Sequence, residues 1–396
     1  MERMRMIVVG AARPNFMKIA PVIRALEERN VDVTLVHTGQ HYDEKMSDAF
    51  FRDLGMRAPD VRLGVGSGTH GEMTGAVMAA FEPVLNDVRP YCVVVVGDVN
   101  STLACALVAA KAGVPVAHVE AGLRSDDRSM PEEINRIMVD ALSDWLLTPS
   151  PDGDQNLMLE GVGRERVYCV GNVMVDSLLA NRQRADAVSL LRRLDLRPQG
   201  YTLLTLHRPS NVDCAETLSR LLDAVEVVAY DRPVVFPVHP RTRAKLVEHG
   251  LMERVEEMHG VRLIEPLGYL DCIALMDHAA VVLTDSGGIQ EETTVLGVPC
   301  ITLRETTERP MTVTHGTNVV VGTNPVDIVQ AYDDAPRMRS ERRPELWDGM
   351  AAERIAAVLT TVAPPLASTR RTASPVAQTL APAAAYVESS ADVAVA

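Results

Sequence analysis

From Tyr91 to Glu120 the chain reads YCVVVVGDVNSTLACALVAAKAGVPVAHVE. Tyr91 to Val96 is apolar throughout and stops at Gly97-Asp98; Val114 to Val119 reads as a strand again and stops at Glu120. A continuous apolar run, as opposed to an alternating one, marks a strand buried on both faces. Between the two runs, Ser101 to Ala112 reads as a helix, which makes the stretch a βαβ crossover and its sheet parallel.

The pattern extends in both directions. Upstream, Met6 to Val9 is a buried strand and Ala11-Ala12-Arg13-Pro14-Asn15 the turn after it; Ile19, Val22, Ile23 and Leu26 then share one helical face before a strand from Val31 to Val36. Downstream it restarts: Tyr201 to Leu206 ends at His207, Val234 to Val238 at His239, and Val281 to Leu283 runs into Thr284-Asp285-Ser286-Gly287-Gly288 and a helix. This predicts an α/β fold of two Rossmann-like doubly wound domains with a ligand cleft between them. The boundary is placed at Cys169 to Val175, giving an N-terminal domain over 1–170 and a C-terminal domain over 171–348. A last amphipathic face, Ile355, Val358, Leu359 and Val362, predicts a helix within 349–363 that completes the first domain. Residues 364–396 are Ala, Ser, Thr and Pro with few large apolar side chains, and read as a disordered tail outside the core.

Bulk properties narrow the function. At 396 residues the chain is too long for one core. Its formal charge of −14 argues against nucleic acid as a partner and requires a local cationic site for any anionic substrate. The six cysteines stand singly, without metal-ligand spacing, and read as buried reduced thiols. No apolar stretch approaches a membrane span or a signal peptide, so a cytoplasmic protein is expected.

The first strand–turn–helix lacks the G-x-G-x-x-G spacing: Arg13 and Pro14 stand where a pyrophosphate needs bare glycine backbone. Neither NAD nor a metal is therefore expected as cofactor. Gly64-Val65-Gly66-Ser67-Gly68 reads as a loop that could touch ligand. Asp285-Ser286-Gly287-Gly288 opens a helix whose free N–H groups suit a phosphate, with Gln290-Glu291-Glu292 one turn further in; an ordinary tight connection is the competing reading. Asp98, Glu120, Glu132 and Glu133 end strands or come just after them, and each could be a cap or ion-pair partner. Together with His207 they supply what proton abstraction at carbon and loss of an anionic leaving group need. Arg13, Lys18, Arg208 and Arg309 are the cation candidates.

In order and spacing these motifs resemble the non-hydrolysing UDP-N-acetylglucosamine 2-epimerases. The match includes Gly10 to Pro14 with Lys18, Thr38-Gly39-Gln40-His41-Tyr42, Val96-Gly97-Asp98, His118 to Arg124, Met130 to Arg136, His207-Arg208, Pro237 to Pro240, Thr284 to Glu292 and Thr306 to Pro310. The resemblance implies a glycosyltransferase-B-like architecture that closes on a UDP-sugar, a homodimer, and a product that feeds cell-surface polysaccharide. It implies elimination of UDP across C1–C2 to 2-acetamidoglucal, followed by re-addition on the other face, interconverting UDP-GlcNAc and UDP-ManNAc. Carried over by position, Asp98, Glu120, Glu132 and His207 are catalytic. Arg13, Lys18, Arg208, His239, Ser286, Gly287, Gly288, Glu292 and Arg309 bind substrate, and Gln40 and His41 are candidates for an allosteric site. Pro209-Ser210-Asn211 departs from the family's Arg-Glu-Asn, and Tyr42-Asp43 and Gly64 to Gly68 depart from the basic stretches of allosterically activated members. A hydrolysing epimerase, a glycosyltransferase of the same fold and a sugar-nucleotide sensor stay open as alternatives.

Overall fold

The computed structural model describes residues 3–11, 13–39 and 54–364; the tail from 365 onward and the pair Gln40-His41 lie outside them. The first half builds a parallel sheet from β1 (Arg5–Gly10), β2 (Asp32–His37), β3 (Val61–Arg62), β4 (Cys92–Val96), β5 (Val116–Val119), β6 (Trp145–Thr148) and β7 (Val167–Cys169). Its strand order is β3-β2-β1-β4-β5-β6-β7, and every pairing is parallel. The second half repeats the scheme with β8 (Thr202–Thr205), β9 (Val234–Pro237), β10 (Val261–Ile264), β11 (Val281–Thr284), β12 (Cys300–Thr302) and β13 (Asn318–Val320). Here the order is β10-β9-β8-β11-β12-β13, again all parallel.

The continuous apolar runs have a direct cause. In β1 and β4, Met6, Val8, Cys92, Val94 and Val96 enter one core layer, while Ile7, Val9, Val93 and Val95 enter the layer on the opposite face. The first layer is closed by helix Arg13–Glu28, through Ile19, Val22 and Leu26, and by the final helix Ala351–Thr361, through Ile355 and Leu359. Helices His70–Val88 and Asn100–Lys111 close the other. The second sheet divides its residues likewise, Leu204, Phe236 and Leu283 to one side and Leu203, Val235 and Val282 to the other.

Strand order reverses between β1 and β4 and again between β8 and β11. At such a switch point the crossovers leave to opposite faces and open a crevice beyond the strands' carboxyl ends. The thiols correct one expectation: Cys92, Cys105 and Cys300 are buried, but Cys169 and Cys272 are only half-buried. Cys214 is exposed, because it caps a surface helix and donates its thiol to Glu216. Among the described residues no helix is long and apolar enough to cross a membrane, and no three His, Cys, Asp or Glu converge as metal ligands.

The chain passes between the two sheets twice, and the two passages touch. Helix Val173–Arg182 contributes Val173 to the first core and Leu178 to the second. Its Asp176 accepts hydrogen bonds from the amides of Ala351 (3.2 Å) and Ala352 (2.8 Å), capping the final helix. Gly171 has φ +90°, and a Cβ there would lie 2.2 Å from the Leu346 carbonyl oxygen. Both the left-handed backbone and the close approach demand glycine. Gly171→Ala should cost roughly 2–4 kcal/mol of stability, backbone strain and overlap combined. Gly64 is also at positive φ, but a Cβ there would meet no atom within 4 Å. The same change at Gly64 should cost only about 1 kcal/mol. Urea denaturation of the two variants measures the difference.

Candidate active site

Both switch points open onto one cleft of about 410 Å³, lined from the first half by Met17, Lys18, Asp98, Val99, Met130, Glu132, Arg136 and Met174. That volume lies in the range of small-molecule sites. Gly97 turns the chain sharply at the end of β4 with φ +69°, and Asp98 comes next. Arg136 Nη1 sits 2.8 Å from Asp98 Oδ2, and Asn135 donates to the Asp98 carbonyl at 2.8 Å. Glu120 comes directly after β5, also in the left-handed region at φ +69°, a conformation that a non-glycine residue keeps only when its surroundings hold it there. Its carboxylate is buried, with Oε2 2.5 Å from Lys18 Nζ and, among the described residues, no hydrogen-bond partner for Oε1.

Glu132 and Glu133 open helix Pro131–Leu142, and adjacent helical positions do not share a face. Glu132 faces the cleft. Glu133 turns inward and accepts from the amides of Ser125 and Asp126, both at 3.1 Å, and from Arg136. Beneath them His118 spans Asp140 (2.6 Å) and the Gly97 carbonyl (2.9 Å), while Asp140 also accepts from Gly122 N and pairs with Arg124. Burial would raise the Asp140 carboxyl, but His118 and Arg124 outweigh it and hold it below its ordinary value.

From the second half the lining is His207, Arg208, Tyr269, Cys272, Ser286, Gly287, Gly288, Ile289, Glu291, Glu292, Glu308 and Arg309. Asp285, fully buried after β11, accepts from the amides of His207 and Arg208, both at 2.9 Å, and pairs with His207 Nδ1 at 2.8 Å. Burial pushes its carboxyl up, yet His207 and these amides leave it below its ordinary value. Ser286 stands at the N-terminus of helix Gly287–Leu296, with the first turn toward the cleft. Arg309 lies 2.9 Å from Glu291 and 2.8 Å from Glu308. Among the described residues Glu292 has no such cation: burial, reinforced by Glu291 and moderated by the Tyr269 hydroxyl at 3.1 Å, lifts its carboxyl to about 8.

Lys18, Asp98, Glu132, His207, Arg208, Ser286, Gly287, Gly288, Glu292 and Arg309 therefore line one cleft. Glu120 stands behind Lys18, out of the wall itself. His239 is not in the cleft: it caps helix Pro240–Glu248 and lines an adjoining cavity of about 240 Å³, its ring 5.7 Å from that of His207. The glycine loop Gly64 to Gly68 leads to the capped helix at Thr69 and does not line the cleft. The Arg13 side chain, Gln40 and His41 lie outside the described residues. Sequence reading missed Arg136, Tyr269 and Glu308. Arg136 was findable, four residues after Glu132 on the same helical face. Tyr269 arrives from a separate helix with no signal of its own.

Two doubly wound sheets facing one cleft define a glycosyltransferase-B-like α/β enzyme architecture. The chain belongs to the UDP-N-acetylglucosamine 2-epimerase family, whose model matches residues 24–360. It is 42% identical over 362 residues to the UDP-N-acetylglucosamine 2-epimerase of Methanocaldococcus jannaschii, covering 90% of this chain and 99% of that one. It is also 42% identical over 361 residues to the UDP-2,3-diacetamido-2,3-dideoxy-D-glucuronate 2-epimerase of Pseudomonas aeruginosa, with the same coverage. The crystal structure of the M. jannaschii enzyme in complex with UDP-GlcNAc and UDP superposes with a TM-score of 0.84, over 90% of this chain and 99% of that one.

The Glu292 environment has a measurable consequence. A carboxyl raised to about 8 in the folded state contributes stability that is full below its unfolded value and is lost as pH rises towards 8. Glu292→Gln, which cannot ionise, should gain thermal stability relative to the unaltered protein between about pH 5 and about pH 8.5. A melting-temperature difference that stays flat across that range would count against the assignment.

Proposed function

We propose that this chain is an epimerase that interconverts UDP-N-acetylglucosamine and UDP-N-acetylmannosamine by eliminating UDP and adding it back. The supporting observation is a division of labour across the cleft. Asp98 and Glu132, which can move protons, face the cleft from the first half, while His207, Arg208, Arg309 and a helix N-terminus, which suit a diphosphate, face it from the second.

C2 of an N-acetylhexosamine is too weakly acidic for simple deprotonation and return. In the elimination, a carboxylate takes the C2 proton while the C1–O bond breaks, its electrons leave with UDP, and a C1–C2 double bond remains. Re-addition puts a proton on the opposite face of C2 and the phosphate oxygen back on C1. Inversion needs an acid or base on each face of the ring, which Asp98, Glu120 and Glu132 would provide. Arg309, Arg208 and His207 would hold the diphosphate as its charge grows, and Glu292 would meet the ribose hydroxyls. A second substrate reading, a UDP-linked diacetamido-glucuronate, is favoured by the equally similar Pseudomonas relative.

Separate incubations with UDP-GlcNAc and with the UDP-linked diacetamido-glucuronate in deuterated water, followed by proton NMR, test the reaction. The expected result is UDP-linked manno epimer carrying deuterium at C2. Free sugar would point to hydrolysis, retention of the C2 proton would rule out elimination, and turnover confined to the diacetamido-glucuronate would select the second substrate.

Variants separate chemistry from binding. Asp98→Asn, Glu120→Gln and Glu132→Gln should each lower kcat by roughly a hundredfold or more, with much smaller changes in KM. Arg309→Ala should act mainly through KM, since it removes a cation that holds the diphosphate before and during bond cleavage. Steady-state kinetics of the four variants decides between these patterns.

A further inference from the structure

Three arginines converge on one buried carboxylate at the rim of the second sheet. Glu308 Oε1 lies 2.8 Å from Arg309 Nη1 and 3.6 Å from Arg208 Nη2, and Oε2 lies 2.8 Å from Arg304 Nη2. The same carboxylate reaches the start of helix Gly287–Leu296: a Cβ on Gly287 would fall 2.8 Å from Glu308 Oε1 and 3.1 Å from Arg309 Nη1. Several guanidiniums with a helix N-terminus are the donor set that recognises a phosphate. That set is not exhausted by Glu308, because Arg208 Nε and Arg304 Nη1 are buried with no hydrogen-bond partner among the described residues. Burial works against a charged Glu308, but Arg309, Arg304 and Arg208 outweigh it and keep the carboxyl well below the usual range.

We propose that Glu308 is the resident counter-anion of the diphosphate subsite, ordering its arginines when the subsite is empty and weakening their hold on a nucleoside diphosphate when it is full. The proposal rests on reading this cleft as a UDP-sugar site. The physical need arises from the reaction cycle. UDP detached from the sugar carries more charge than UDP esterified to it, so an unopposed cluster of arginines would favour the cleaved state and make it a sink. A fixed negative charge a few ångströms away counters this in a low-dielectric site, where one charge still matters at that range. Glu308 touches the guanidiniums and not the reacting atoms, which makes it a positioning residue that also tunes affinity.

The sign of one measurement tests this. In calorimetric titration with UDP at low salt, Glu308→Gln should bind UDP more tightly than the unaltered protein, by roughly tenfold or more, since the amide can still accept from the arginines while the opposing charge is gone. Uridine, which lacks the diphosphate, should bind both proteins alike. A purely structural Glu308 predicts the reverse, with UDP binding weakened as the arginines lose their anchor. Weaker or unchanged UDP binding by the variant, with the unaltered protein binding UDP normally, overturns the proposal and leaves the epimerase reading standing. Failure of the unaltered protein to bind UDP at all overturns both. Should Glu308→Gln not fold, Glu308→Asp draws the charge back by one methylene and must shift UDP affinity in the same direction, by less; no shift or a weakening overturns the proposal.

Discussion

A carboxylate sealed at the end of a central strand must be satisfied by its neighbours, and this constraint organises the cleft. Asp285 has no solvent contact, and an unpartnered charge there would cost several kcal/mol. Its partners are the amides of His207 and Arg208, the Asn211 side chain and the His207 ring, all in the segment just after β8. The loop presenting His207 and Arg208 to the cleft is therefore held by the electrostatic needs of the neighbouring strand. The first half uses the same device with Asp140, which through His118 reaches the Gly97 carbonyl and directly binds the Gly122 amide. These two contacts hold the turns on either side of the segments carrying Asp98 and Glu120.

The second consequence is a set of largely buried cations held inside an acidic protein. Lys18, Arg136, Arg304 and Arg309 are each paired with a carboxylate: Glu120, Asp98, Glu308, and Glu291 with Glu308. Pairing keeps the charges in place without a ligand, where isolated buried arginines would repel one another. The same residue type ends in opposite states according to its neighbours. Glu308, among three arginines, is held as a carboxylate, while Glu292, lifted by burial and by Glu291 against the opposing Tyr269 hydrogen bond, rises to about 8. Divergent environments of this sort are how one site supplies both charged and neutral carboxyls.

Much of the fold was legible because its signals are local. Runs such as Cys92 to Val96 are apolar since both faces of the sheet are covered, and that needs no knowledge of distant residues. The strands that escaped were short: Val61–Arg62, Trp145–Thr148, Val261–Ile264, Cys300–Thr302 and Asn318–Val320 offer two to four residues each, too few for a period to show. Of the candidate site, the positions after strand ends were visible. His239 too stands just after a strand, but that strand lies one place out from the switch point, so its side chain lines the adjoining cavity that shares His207 and Ser286 with the cleft.

The sequence by itself determined the two parallel sheets and the polar residues at their carboxyl edges, because an apolar run and the polar residue that ends it are adjacent in the chain. Only the tertiary structure decided which of those polar residues act together. Lys18 meets Glu120 across 102 positions, and His207 meets Asp285 across 78. Glu132 enters the cleft while Glu133, its neighbour, is spent on Ser125, Asp126 and Arg136. Such pairings depend on how the strand ends are brought together in space. A single charge in a chain carries no mark of the partner that will neutralise it, since Coulomb attraction depends on distance in the folded molecule and not on separation along the chain.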